Sequence, residues 1–435
     1  MKALSPVDQV FLWLEKRQQP MHVGGLQLFS FPEDAPDDYV AQLADQLREE
    51  TIVTPPFDRR LGSRFGQPVW VEDEQLDLEH HFRFEALPTP GRIRELLSFV
   101  SAEHSHLMDR ERPMWEFHLI EGLKDRQFAV YTKVHHSLVD GVSAMRLFQR
   151  MLSQDPEQRN MPPIWSLPRR SRSGDDDEGP SMWRNVAHLL GESGKQLGTV
   201  PAVTKALLNT VNRARKDPAY DSIFHAPRCV LNGKITGSRR FAAQSYDLKR
   251  IRAVCTAFGT TVNDVVMTMC ATALRTYLMN QDALPEKPLV AMVPVSLRTD
   301  DSSGGNQVGI ILASLGTHLN DAAERLRYIH EDVKASKQRY AAMSPEEILN
   351  YTALLLAPAS FNLLTGLAPK WQTFNVVISN VPGPKEPSYW NGARLEGMYP
   401  VSIAMDRIAL NMTLTSYCDQ VEFGLIGCRR TLPSL

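Results

Sequence analysis

The sequence predicts an α+β protein built of two large halves, and three observations carry that expectation. Strand-like and helix-like stretches mix in both halves without a regular βαβ rhythm. A proline-rich, acidic break at residues 155–182 separates them. The 435 residues, 43% hydrophobic and 23% charged, are enough to bury a sizeable core in each half. We divide the chain into 1–154, a linker and connector helix over 155–224, and 225–435; at roughly 150 residues per domain the length also admits three domains.

In the first half PMHVGGLQLFSF reads as a strand, YVAQLADQLREE and IRELLSFVSAEHSH as amphipathic helices, and WEFHLIEGL and RQFAVYTKVHH as strands. Residues 155–182, with five prolines and the run Asp175–Glu178, read as a solvent-exposed linker. From Met182 to Lys216 the pattern is helical, interrupted by glycines, with Lys205, Arg213, Arg215 and Lys216 at its end. That fits a connector helix with a solvated face, or a basic amphipathic helix on a membrane surface. The second half gives a helix DLKRIRAVCTAF ended by Gly259, and a helix opened by Thr261 with Asp264 in the capping-box position. Strands follow at PLVAMVPVSLR, VGIILASL, FNVVISN and LNMTLTSY, and Ser344-Pro345 opens a long apolar helix.

Charge and cysteine usage narrow the function. Lys+Arg 48 against Asp+Glu 50 leaves a net charge of -2, so no overall positive field argues for nucleic acid, and an anionic ligand must be met by a local patch. Cys229, Cys255, Cys270, Cys418 and Cys428 are odd in number and scattered without a CxxC pair, which suggests neither a disulfide framework nor a zinc site. The N-terminus carries Asp8, Glu15 and Lys16 around a short apolar stretch, and nowhere do about 18 apolar residues run together. The expectation is a cytoplasmic protein, neither secreted nor membrane-spanning.

One stretch carries chemistry: His135-His136-Ser137-Leu138-Val139-Asp140-Gly141. Upstream, Phe128, Val130, Thr132 and Val134 alternate as in a strand; downstream, Val142, Met145, Phe148 and Leu152 recur at helical spacing. The histidines sit where a strand ends and Asp140-Gly141 where a helix begins. Successive strand side chains point to opposite faces, so if His136 faces a cleft, His135 faces away. A neutral imidazole suits removal of a proton from an alcohol near neutral pH, which makes His136 the candidate general base. Asp140 can cap the helix or pair with an arginine, and Gly141 permits a tight turn. Two satisfied strand-end histidines and a plain N-cap would look the same. A metal site is disfavoured because adjacent strand side chains diverge, and no GxSxG, Walker A or GxGxxG pattern supports a serine hydrolase or a nucleotide enzyme.

HHSLVDG resembles the HHxxxDG signature of the acyl-CoA-dependent acyltransferase superfamily, and further motifs narrow the resemblance. These are Leu4-Ser5-Pro6-Val7-Asp8, Pro20-Met21-His22-Val23-Gly24, Pro113-Met114-Trp115-Glu116, Asn263-Asp264-Val265, Pro294-Val295-Ser296-Leu297-Arg298, Gly305-Asn306-Gln307 and the run from Asn375 to Pro384. Together they resemble the bacterial wax ester synthase/diacylglycerol acyltransferase family over essentially the whole chain. Met114 stands where many members have Leu, a conservative apolar exchange. The chain ends at Leu435, earlier than the resemblance implies, so a C-terminal helix is expected to be missing.

The resemblance implies a two-domain chloramphenicol acetyltransferase-like fold with an interdomain active-site tunnel. It also implies acyl transfer from acyl-CoA to a long-chain alcohol, giving a wax ester, or to diacylglycerol, giving triacylglycerol. The thioester is already activated, so acyl-CoA is a substrate and no cofactor or metal is expected. His136 would be the base. Asn263 would stabilise the oxyanion, or else serve only the helix cap. Arg298 would pair with Asp140, or else be an exposed strand-end residue. Arg239, Arg240 and Lys249 belong to the densest basic cluster of the second half, a candidate for the CoA phosphates or a solvated face. Ala353, Leu356, Ala357 and Ala359 lie in an apolar helix suited to a lipid tunnel wall or to core packing. A membrane or lipid-droplet surface is the expected place of encounter with the acceptor. An amide-forming condensation catalyst and a catalytically silent lipid-binding protein are the competing readings; the first would need a carrier-protein docking surface, and the intact HHSLVDG disfavours the second.

Overall fold

The computed structural model describes residues 2–167, 225–297, 307–343, 347–348, 351, 354–355 and 372–435. Two six-stranded sheets dominate it. The first runs, in spatial order, through Tyr389–Trp390 (β12), Ala393–Val401 (β13), His22–Ser30 (β2), Gln127–His135 (β7), Trp115–Leu123 (β6) and Phe82–Ala86 (β5). The second runs through Gln307–Ser314 (β10), Val290–Leu297 (β9), Val376–Val381 (β11), Leu410–Tyr417 (β14), Gln420–Cys428 (β15) and Arg239–Asp247 (β8). A small sheet joins Lys2–Ala3 (β1), Gln67–Glu72 (β4) and Arg59–Arg64 (β3). The helices are Pro6–Leu14 (α1), Tyr39–Glu49 (α2), Leu78–His81 (α3), Ile93–Glu103 (α4), Gly141–Met151 (α5), Leu248–Phe258 (α6), Val262–Met279 (α7) and Ala322–Ala341 (α8). Among the described residues no single helix is long and apolar enough to cross a membrane.

The expected strands and helices of both halves form, for the expected reasons. β7 alternates: Phe128, Val130 and Val134 enter a core with α2 and α5, while Ala129 and Tyr131 enter a second cluster between the sheets. α6 stops at Gly259, whose φ of 64° is left-handed. α7 is opened by Thr261, whose side chain takes the Asp264 N–H while Asp264 reaches back to the Thr261 N–H. The long apolar helix expected after Ser344 falls largely outside the described residues; of it Tyr351, Leu354 and Leu355 are buried in the core of the second half.

Two features differ from the linear reading. Residues 155–182 do not all form an exposed linker, because Met161, Ile164, Trp165 and Leu167 are buried in the first core. Trp165 is wholly enclosed, donates Nε1–H to Glu50 O, and its own carbonyl accepts from Thr54. An indole has too much apolar surface to leave in water when a core lies within reach. The rest of the linker and the basic connector from Met182 to Lys216 lie outside the described residues. Second, the chain boundary near 225 is not a boundary between sheets, since β13 pairs antiparallel with β2 and so completes the first sheet from the second half.

The two sheets meet along α4, β8, β13 and β15. Ser105 Oγ accepts the Arg239 N–H at 2.8 Å and Ser101 Oγ the Phe241 N–H at 2.9 Å, so Ser101 on α4 and Ser105 just beyond its end cap the free edge of β8. Gly424 on β15 lies so close to Pro400 O of β13 that a Cβ there would overlap the carbonyl.

Candidate active site

β7 carries its ladder as far as His135, which pairs with His22 of β2; the chain then turns and α5 begins at Gly141. Asp140 is the N-cap of α5, its Oδ1 accepting the Ser143 N–H at 2.8 Å. The His136 N–H donates to Met21 O at 2.9 Å. Its ring lies flat on Phe11 of α1, with centroids 4.0 Å apart and planes 16° apart. Nδ1 is buried with no hydrogen-bond partner, while part of the residue stays accessible. Burial holds the imidazole pKa down to about 4; the Asp140 charge pulls it up and His135 adds to the fall. His136 is therefore neutral at pH 7.

His135 points the other way and is fully buried. Its Nδ1 accepts the Ser137 N–H at 3.1 Å, which leaves the proton on Nε2. Nε2 lies 3.2 Å from Glu15 Oε2, at contact distance but off the hydrogen-bonding axis. Glu15 is held by Arg110 Nη2 at 2.9 Å and by the Met21 N–H at 3.2 Å. Burial raises its pKa, but His135, Arg110 and Met21 together outweigh that and the carboxyl sits below its ordinary value. Neither Glu15 nor Arg110 was singled out in the sequence; the one available signal was an acidic residue closing an apolar helix.

On the same face of the sheet as His135, Lys133 Nζ lies 2.7 Å from Glu116 Oε2, and His118 sits between Glu116 and Glu85 at 3.3 and 2.9 Å. Glu116 is carried down to about 2, since His118 and Lys133 outweigh the upward push of burial. Glu103, Glu116 and His118 are close enough to share a metal ion, yet the Lys133 ammonium already supplies a positive charge there. The opposite face of the sheet holds a small, mostly apolar cavity with room for about one water molecule. Phe57, Trp115, Val134, Val139, Ala144 and Leu147 are among its lining residues.

The second half presents Asn263 on the first turn of α7, partly exposed, with Nδ2 donating to Met267 Sδ at 3.3 Å. Its neighbour Asp264 is buried and accepts from Thr261 and from His330 Nδ1 at 2.8 Å. His330, on α8, left no signal in the sequence because its partner lies 66 positions away.

Arg239, Arg240 and Lys249 are not brought together as a phosphate patch. Arg239 is 4% exposed and its guanidinium donates to Gln18 O and Thr236 O, so it offers nothing to a solvent-borne anion. Arg240 faces the other side of β8 by strand alternation, and the exposed Lys249 lies 3.5 Å from Asp419. Arg298, Ala353, Leu356, Ala357 and Ala359 lie outside the described residues.

Comparison with known proteins accords with this geometry. A family model described as the wax ester synthase/diacylglycerol acyltransferase catalytic domain matches residues 4–266, and one described as the WS/DGAT C-terminal domain matches residues 304–435. An O-acyltransferase WSD of Acinetobacter baylyi is 47% identical over 439 residues, covering 100% of this chain and 94% of that one. The solved wax ester synthase/diacylglycerol acyltransferase of Marinobacter aquaeolei VT8 is 72% identical, with a TM-score of 0.85, covering 100% of this chain and 95% of its own. The first condensation domain of the calcium-dependent antibiotic synthetase aligns over 98% of this chain and 90% of its own at 15% identity and a TM-score of 0.54, a likeness of fold alone. The two-domain chloramphenicol acetyltransferase-like fold is the one expected from the motifs.

Proposed function

Because the chain belongs to the wax ester synthase/diacylglycerol acyltransferase family and is an acyltransferase, we propose that His136 is the general base of its reaction. It takes the hydroxyl proton of a long-chain alcohol or diacylglycerol as that oxygen attacks the thioester of an acyl-CoA. The observation that carries the reading is a neutral, stacked imidazole held at the strand end with its Nδ1 buried, which leaves Nε2 to meet substrate. The C–O bond forms, the tetrahedral oxyanion collapses, the C–S bond breaks, and the proton held on Nε2 passes to the departing thiolate. Asn263, on the first turn of a capped helix, supplies a donor for the oxyanion. Asp140 fixes the start of α5; Arg298, expected as its partner, lies outside the described residues.

The apolar side chains beside α5, among them Phe57, Val134, Val139 and Leu147, are suited to methylenes and border the path of the acyl chain. The apolar stretch with Ala353, Leu356, Ala357 and Ala359, expected to line the rest of the lipid path, lies outside the described residues. No metal or prosthetic group enters this scheme, and a membrane or lipid-droplet surface is where a water-insoluble acceptor is met. The test is thiol release from palmitoyl-CoA with hexadecanol: His136→Ala should lose about 10²- to 10⁴-fold in rate with an unchanged unfolding midpoint, and EDTA should leave the parent's turnover unmoved. A His136→Ala enzyme of full activity would end the base assignment.

A further inference from the structure

The segment Glu15–Met21, between α1 and β2, is where the first half supports its base. Met21 O holds the His136 N–H, Glu15 faces His135, and Phe11 one turn earlier carries the imidazole ring. The far side of this segment is gripped by the second half. Arg239 Nη2 donates to Gln18 O at 2.7 Å, the Asp406 N–H donates to Gln19 Oε1 at 2.8 Å, and a Cβ on Gly237 would stand 3.1 Å from Arg17 O. Gln19 also donates its Nε2 to Leu14 O at 3.0 Å, tying the turn back to α1.

Arg239 is an unusual residue to find there. It is almost wholly buried, and among the described residues it has no carboxylate at ion-pair distance. Its donors go instead to carbonyls of three separate segments: Gln18 O, Thr236 O at 2.5 Å and Ala404 O at 3.5 Å. Burying a charge with only carbonyl acceptors is costly. A guanidinium fork reaches several fixed acceptors at once, which neither an ammonium nor an apolar side chain does.

We propose that Arg239 is a positioning residue for the reaction: by clasping residues 15–21 from the second half, it fixes the seat of His136 and makes the base's geometry depend on how the two halves dock. The proposal rests on the reading of His136 as base. The charges that act on the imidazole are those of Asp140 and His135; neither bonds Arg239 itself, and His135 faces Glu15 at the start of the clasped turn. Loosening the clasp therefore acts on His136 by letting water and motion into its seat.

The experiment compares Arg239→Lys, Arg239→Met and Gln19→Leu in the full chain with palmitoyl-CoA and hexadecanol between pH 4 and 8, alongside thermal unfolding. We expect kcat to fall about 10- to 100-fold, as a misplaced catalytic group does, with KM for acyl-CoA changed by less than about twofold. The acid limb of the kcat profile should move up toward the ordinary histidine value of about 6.5. Lys, lacking the fork, should rescue little more than Met. A several-fold rise in KM for acyl-CoA with kcat kept would overturn the proposal in favour of phosphate binding. An unmoved acid limb, with kcat loss that tracks the unfolded fraction, would reduce Arg239 to a structural residue. If the Arg239 variants do not fold, Gln19→Leu decides by the same limb. His136→Ala run beside them separates the two failures: full activity there removes the base reading, whereas an inactive His136→Ala with an unmoved limb elsewhere removes only the positioning role.

Discussion

The face of β6 and β7 turned away from α5 and the core around α7 and α8 are both dry, yet they are built from different material. The first holds Glu116, His118, Lys133 and His135, paired with one another or with Glu15 and Glu85. The second packs Met292, Ile311, Leu312, Val377 and their neighbours, with Leu326, Ile329 and Val333 of α8 laid across them. Ion pairs out of water are directional and fail when one partner is lost, whereas aliphatic packing is graded by volume. The ion-paired face ends one residue before His136. The half that carries the base is thus held in a single geometry by charge, and the other half is a stiff support that tolerates small changes.

The largest expected effect tests that contrast at Lys133. Lys133→Met leaves the Glu116 carboxylate buried without its ammonium, and should cost about 3 to 5 kcal/mol of stability together with activity. A variant as stable as the parent would show that the charged face is dispensable.

Acid comes next. Burial lowers the pKa of His104 to about 3 and those of His81 and His136 to about 4, with His22 also well below its ordinary value. Unfolded, each titrates near 6.5, so between that pH and the folded value the unfolded chain binds more protons. Stability should be full above about pH 6.5 and decline as pH falls toward 4. A flat unfolding midpoint from pH 7 to 4.5 would contradict the neutral, buried state of these rings. In the second half, Ile311→Val should cost only about 1 kcal/mol, with activity per folded molecule unchanged. A large loss of kcat there would mean that its core also sets the site's geometry.

The smallest effect sharpens the role of Asp140. As an N-cap, its replacement by Ala should cost about 1 kcal/mol and by Asn almost nothing. An Asp140→Asn enzyme with a normal unfolding midpoint but lost activity would show that the carboxylate charge, not the cap, is what catalysis requires.

Much of the site was legible because it lies at a local change of period. Val134 closes a two-residue repeat and Met145 joins a helical one, so the strand end, the turn and the cap at Asp140 are written in consecutive residues. Thr261 and Asp264 were legible for the same reason. What was not legible depends on distant partners. Arg239 and Arg240 look alike in a basic run, and only the docking of residues 15–21 and 404 onto one side of β8 buries the first. Residues 161–167 sit in a proline-rich stretch that reads as exposed until Trp165 finds the first core. β13, broken in appearance by Gly397 and Pro400, becomes a strand because β2 has a free edge for it.

The sequence by itself determined the element types and the opposed directions of the two histidines, since periodicity and capping are properties of neighbouring residues, and its motifs carried the likeness to an acyltransferase family. Only the tertiary structure decided that Phe11 covers His136, that Glu15 answers His135, and that the buried Arg239 reaches Gln18 O. These contacts join segments far apart in the chain. Their free energy depends on burial and on three-dimensional direction, which a linear pattern does not carry.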